Sequence, residues 1–397
     1  MALPIYVLKL TGSAAATSGV VAAAVAPSLL LGLVAGVFVD RWDRRRLMVV
    51  TNMLQGVALL PLVVVDSANR LWIVYAVVFI SSALAQFFAP AENALLPRLV
   101  DESELPAANS LNALNNNIAR LIGPTIGGVL ATTVGLVGVS LVDAASFVAA
   151  AGLIALIRGR FIAVPETAPP VRRALFQELG EGFGAIARSR VTQAILLMLA
   201  IAAIGEGVIG SVFPIFVTGP LKGDAPELGW LMSAQAVGGI LGGLTGAAVG
   251  RRLTPARMVT LSVIAFGTID LIIFNYPRWF SAIGPELVLF AVVGVPGALA
   301  FAGLMTLLQT EVSDAVLGRV FAAALVIEAL ATLAGAGLAA AFTARVGVLN
   351  MLTVQGSAYL VAGIAFAAMA RRPRDVRAIR PGAVPVGAAG DGYRPYE

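Results

Sequence analysis

The stretch GVFVDRWDRRRLMV, Gly36 to Val49, decides how the whole chain is read. Six charged residues crowd positions 40 to 46, yet Leu10 to Val39 before them and Leu47 to Val65 after them carry none. A helix needs about 20 mainly apolar residues to cross a bilayer, and both flanking runs supply them. The charge knot is therefore a tight loop between two spans, not the face of a nucleic-acid-binding domain. The alternation continues down the chain. Hydrophobic residues make up 59% of the 397 and charged residues 12%, where a soluble protein carries about 25% charged. Charge gaps and turn residues together predict helices over 18–39, 47–65, 71–92, 106–132, 136–157, 191–218, 228–249, 257–275, 286–309, 318–343 and 347–370. The apolar runs do not alternate residue by residue, which excludes a β-barrel. The opening MALPIYVLKL is too short to span and reads as the last half of a further helix, with the true start expected upstream of Met1.

Twenty-one of the 27 basic residues fall in loops on the side of the knot or in the tail, against four, Arg70, Lys222, Arg278 and Arg345, opposite. Such an asymmetry predicts that the knot, the middle loop and the tail are cytoplasmic. The domain boundaries expected are an N-terminal bundle 1–158, a linker 159–190, a C-terminal bundle 191–370 and a disordered tail 371–397. In the linker, Leu175, Phe176, Leu179, Phe183 and Ile186 share one helical face, as in a helix lying at the membrane interface. The Arg-rich tail suits anionic lipid headgroups. The halves echo one another: Gly246 to Arg252 stands where Gly36 to Trp42 stands, 210 residues on, and Met305 to Asp314 answers Asn93 to Glu102 at an offset of 212.

These residues carry a family resemblance. Gly36, Asp40, Arg41, Arg44 and Arg45 match the loop signature between helices 2 and 3 of the major facilitator superfamily, with Asp43 where that pattern has glycine. GPTIGG, through Gly123, Pro124, Gly127 and Gly128, resembles the antiporter motif of its exporters, although Ser110 and Ala119 stand at the two upstream glycine positions. FFAPAENALLPRLVDESELPAANSLN and LLQTEVSDAVLGRVFA are similar to the siderophore, macrolide and multidrug exporter branch. The resemblance implies an all-α integral membrane protein of two pseudo-symmetric six-helix halves, its first helix shortened to a stub. It also implies helices 1, 4, 7 and 10 around a central cavity. Gly32, Gly36 and Asp40 share a helical face, and Asp40 is expected to cap helix 11 near Gly318 and Arg319, latching the halves together.

Ionisable residues inside spans are costly and mark function by default. Six qualify: Glu92, Arg120, Asp143, Glu206, Asp270 and Glu328. Glu206, in AIGEGVIG, is the leading proton site, with Gly205 and Gly207 expected to let its helix flex. Arg120 is expected to balance a carboxylate such as Glu328 or to attract an anionic substrate. Asp143 and Asp270 are placed near the outer ends of peripheral helices, within reach of interface water, and Glu92 beside Arg98 or the knot. Gly335-Ala-Gly337 looks like a dinucleotide fingerprint, but no βαβ unit surrounds it.

The chain has no cysteine or histidine, which excludes thiol chemistry, Cys/His metal sites and Ser–His pairs. It has no P-loop either. These absences argue against an enzyme, and the resemblance implies instead a secondary active, proton-coupled exporter, working by alternating access, of hydrophobic or amphipathic small molecules such as a drug, macrolide or siderophore. It would be a multi-pass, monomeric protein of the plasma (inner) membrane, using no cofactor beyond the proton gradient and binding no nucleic acid. An importer or lysolipid flippase of the same fold is the alternative within that class. A non-transporting receptor or scaffold is the alternative outside it.

Overall fold

In a bilayer no water is available to the backbone, so each span must satisfy its own N–H and C=O groups as a helix. The computed structural model describes residues 2–159, 161, 189–312 and 314–370. It contains α1 (Ala2–Thr11), α2 (Ala14–Arg41), α3 (Arg44–Leu59), α4 (Leu71–Leu95), α5 (Leu105–Thr133), α6 (Gly135–Ala155), α7 (Arg190–Thr218), α8 (Ala225–Gly250), α9 (Pro255–Asn275), α10 (Ile283–Glu311), α11 (Asp314–Val346) and α12 (Val348–Met369). Among the described residues nine helices are long and apolar enough to cross a membrane. The linker's interfacial helix and the tail's lipid contacts fall outside the described residues.

Helix ends lie within four residues of expectation except at α3, which tightens at Leu60–Val64 into a 3-10 turn. Pro61 explains it, since proline has no N–H for the next helical bond. Helix α8 starts three residues early because Asp224 and Glu227 form a capping box. The Asp224 N–H donates to Glu227 Oε2 at 2.8 Å, and the Ala225 N–H donates to Asp224 Oδ1 at 2.8 Å.

Within the first six helices, α2 packs on α4, and α3 on α4 and α6. Within the last six, α8 packs on α10, α7 on α11 and α12, and α9 on α10 and α12. Two seams join the sets: α5 on α8, and α2 on α11 and α7. Four buried apolar clusters hold the bundle, one toward each end of each half. In the C-terminal half one is built around Val208, Phe216, Leu231, Phe274 and Leu352, at the arginine-poor end. Its counterpart, around Ile195, Val259, Leu308, Val320 and Phe366, lies at the arginine-rich end. The N-terminal half repeats the arrangement with Val7, Leu62 and Val74 at one end and Leu47, Met48 and Leu95 at the other.

Gly335 is a packing point. A Cβ there would lie 2.9 Å from the Ile204 carbonyl carbon, and one at Gly207 would lie 2.7 Å from Ala336 N. Small residues let α7 and α11 touch backbone to backbone. Gly207 is thus a contact surface between α7 and α11.

Candidate functional site

Between the two apolar clusters of the C-terminal half lies a polar layer. Its members are Glu206 on α7, Asp270 on α9, Glu328 on α11, and Gln355 and Tyr359 on α12. The Tyr359 hydroxyl donates to Glu206 Oε1, and Gln355 Nε2 donates to Asp270 Oδ2 at 2.8 Å. The Phe266 ring lies against that of Tyr359, centroids 4.7 Å apart. Glycines bring α12 in. A Cβ at Gly205 would lie 3.3 Å from Gln355 Cγ, and one at Gly267 would lie 2.8 Å from Leu360 N.

Glu206 is accessible although it stands midway along α7. One turn on, Gly210 meets Val21 of α2, and the Ser211 carbonyl accepts from the Thr17 hydroxyl at 2.7 Å. Residues four apart share a helical face, so Glu206 lies on the face of α7 turned toward the N-terminal half. Asp270 differs from expectation: it is 3% exposed and bonded to α12, not near interface water. Depth in the bundle, set by a helix 85 residues away, overrides position along α9. Asp143 is exposed, and Glu92 and Glu328 are half-buried. Arg120 is exposed and forms no ion pair with Glu328 among the described residues.

The close contacts between halves gather at the arginine-poor end. A Cβ at Gly128 would lie 2.9 Å from the Ala225 carbonyl carbon, and one at Gly229 would lie 2.9 Å from that of Pro124. The Thr125 and Ser233 hydroxyls bond at 2.8 Å, and Lys9 Nζ meets Asp224 Oδ1 at 2.8 Å. Toward the arginine-rich end, every residue of α5 from Leu114 to Arg120 is exposed. Of the GPTIGG motif, Gly128 and the Pro124 carbonyl build the seam, Gly127 is half-buried, and a Cβ at Gly123 would meet nothing within 4 Å.

The arginine knot works inside the N-terminal half. Arg44 Nη1 donates to the Ala94 carbonyl at 2.9 Å. Arg45 donates to the carbonyls of Ile154 and Ala155. Cations there meet the partial negative ends of α4 and α6. Asp43 is the N-cap of α3, accepting from Arg46 N–H at 3.0 Å and Phe161 N–H at 3.2 Å. Partial burial disfavours its charge. The two backbone hydrogen bonds and the Arg46 and Arg45 charges outweigh that and hold the carboxyl below its usual range. The side chains of Gly36, Asp40, Arg41, Gly318 and Arg319 lie outside the description. The expected cap of α11 by Asp40 therefore falls outside the described residues.

The sequence reading missed Gln355, Tyr359 and Glu286. Gln355 and Tyr359 are four apart on an oily helix, a polar stripe that could have been noticed. Glu286 reads from sequence as the water boundary of α10. The structure buries it fully, with neither carboxyl oxygen bonded.

A membrane bundle of this topology, with a glycine seam between halves and carboxylates at mid-depth, defines a transporter of the major facilitator type. Solved structures agree on the fold. A bacterial homologue of the iron transporter ferroportin in an inward-facing state superposes with TM-score 0.73 at 17% identity, covering 93% of each chain. The POT family transporter PepTSo superposes with TM-score 0.74 at 12% identity, covering 93% of this chain and 94% of that one. The chain belongs to the transmembrane secretion effector family of major facilitator proteins, whose model matches residues 5–384. It is 26% identical to macrolide efflux protein A of Streptococcus pyogenes over 90% of this chain and 88% of that protein. It is 29% identical to the multidrug efflux pump Tap of Mycobacterium tuberculosis over 74% and 71%. It is 27% identical to the uncharacterized transporter YfiS of Bacillus subtilis over 85% and 80%.

Proposed function

We propose that this protein is a proton-driven exporter of hydrophobic or amphipathic small molecules in the plasma membrane, working by alternating access with Glu206 as the coupling acid. The observation that carries the reading is the placement of Glu206. It is a carboxyl at mid-depth, held by Tyr359 and facing the space between halves. With the arginine-rich end cytoplasmic, the glycine seam closes the outer side. The cavity then opens inward, where a drug partitions from the cytoplasmic leaflet. Binding of substrate displaces the proton of Glu206 to the cytoplasm. After rearrangement, protonation from outside releases the substrate. The names of the efflux relatives support the substrate class.

The test is efflux of a fluorescent macrolide or cationic dye from cells expressing the protein. Export should collapse on adding a protonophore. Glu206→Gln should keep substrate binding and lose uphill export. Equal efflux with and without the proton gradient, or a Glu206→Gln variant still driven by it, would refute the proposal.

A further inference from the structure

Gln355 is 1% exposed, yet its Oε1 has no hydrogen-bond partner, while its Nε2 donates to Asp270 Oδ2 at 2.8 Å. A side-chain amide offers a donor and an acceptor side by side. An ionised carboxylate offers only acceptors, so it serves the amide N–H and leaves the buried amide oxygen without a partner. A neutral carboxylic acid offers the complement, a carbonyl for the N–H and an O–H for the oxygen. Exchanging the amide's oxygen and nitrogen does not rescue the ionised form. Two acceptors would then face each other at 2.8 Å, which a proton must bridge.

The surroundings agree. From α12, Asp270 faces Gln355 and the Tyr359 phenol. Among the described residues, Asp270 forms no ion pair with any group of α7, α8 or α10. No cation among the described residues neutralises the layer. Three ionised carboxylates here would repel one another with nothing to balance them.

We propose that Asp270 and Gln355 form a proton-binding site, holding one proton in a cyclic acid–amide pair in this conformation. The resident proton leaves Glu206, across the Tyr359 phenol, free to titrate against a neutral neighbour. The inference concerns a second carboxyl of the same layer and stands whether or not Glu206 couples transport.

The test is infrared spectroscopy of the full-length protein in lipid nanodiscs at neutral pH, reading the C=O band of protonated carboxyls. Asp270→Asn should abolish one such band, and Glu206→Gln should leave it. Asp270→Asn should also stay folded, since its amide puts an N–H where the acid O–H lay. Gln355→Met should keep the band and shift its frequency, because the carbonyl loses its donor. Loss of intensity from the ionised region in Asp270→Asn would overturn the proposal. So would a band that Gln355→Met leaves unshifted, or one that disappears when sodium chloride is added, which would mark a metal-cation site. An intact band in a protein whose efflux ignores the protonophore would remove the exporter reading and keep this one.

Discussion

Replacing Gly128 by alanine tests the seam between the halves. The added methyl would press hardest on the Ala225 carbonyl oxygen, and would sit 2.9 Å from the carbon of that carbonyl and 3.1 Å from Pro226 Cα. Ordinary carbon–carbon contact is about 3.5–4.0 Å, so the carbon contact alone requires α5 and α8 to part by at least about 0.6–1.1 Å. Both neighbours are backbone, and no rotamer can relieve the overlap. Overpacking of this kind costs about 1–3 kcal/mol. The clash exists only while the arginine-poor end is closed, so the cost falls on that conformation alone. Each 1.4 kcal/mol is tenfold, giving roughly a five- to hundredfold shift toward the form open at that end. The Thr125–Ser233 hydrogen bond breaks with it. The chain has no cysteine, so a single Thr125→Cys reports on opening through its rate of labelling by a water-soluble maleimide. Gly128→Ala should raise that rate and suppress transport without loss of protein from the membrane. Gly123→Ala, in the same motif but with nothing within 4 Å, should change neither. Unchanged labelling in Gly128→Ala, or equal damage from Gly123→Ala, would refute the seam.

Two further outcomes follow from single side chains. Asp43→Gly restores the family's glycine but removes the α3 cap and the bond to Phe161 N–H. A cap exchanged for glycine costs only a few tenths of a kcal/mol and the lost hydrogen bond about 1 kcal/mol, so thermal unfolding in detergent should move slightly downward. Because the folded carboxyl titrates below its unfolded value, its contribution is present above the unfolded pKa and lost as pH falls through the folded one. The difference between wild type and variant should therefore shrink only in acid. Glu286→Met removes two unbonded oxygens from a fully buried site. Each buried polar group left unpaired costs about 1–3 kcal/mol, so this variant should melt higher than wild type, and a lower melting temperature would show that Glu286 has a partner.

The spans were legible because lipid demands long apolar runs, and the helix ends followed loops and caps. Glu206 was legible because a charge in such a run has few other reasons to be there. What the sequence hid was depth and partnership. Asp270 reads as peripheral until α12 is laid against α9, and Gln355 and Tyr359 carry no charge to draw attention. Asp43 looked like a defect in a signature, and the structure makes it a helix cap. Arg44 and Arg45 were legible only as members of a loop signature, and the structure shows them binding the ends of α4 and α6 in their own half.

The seam at Gly128 and Gly229 also bears on speed. Glycine has no rotamers to freeze, so closing this surface orders almost nothing, and opening it releases almost nothing. Its ion pair, Lys9 with Asp224, is about half exposed, and such pairs contribute about 0–1 kcal/mol. Swinging a two-state equilibrium from 1:99 to 99:1 takes about 5.5 kcal/mol of differential affinity. A gate assembled from bare backbone lies within the reach of the proton and the small hydrophobic substrate proposed above, and a gate of interlocked leucines would not yield to either.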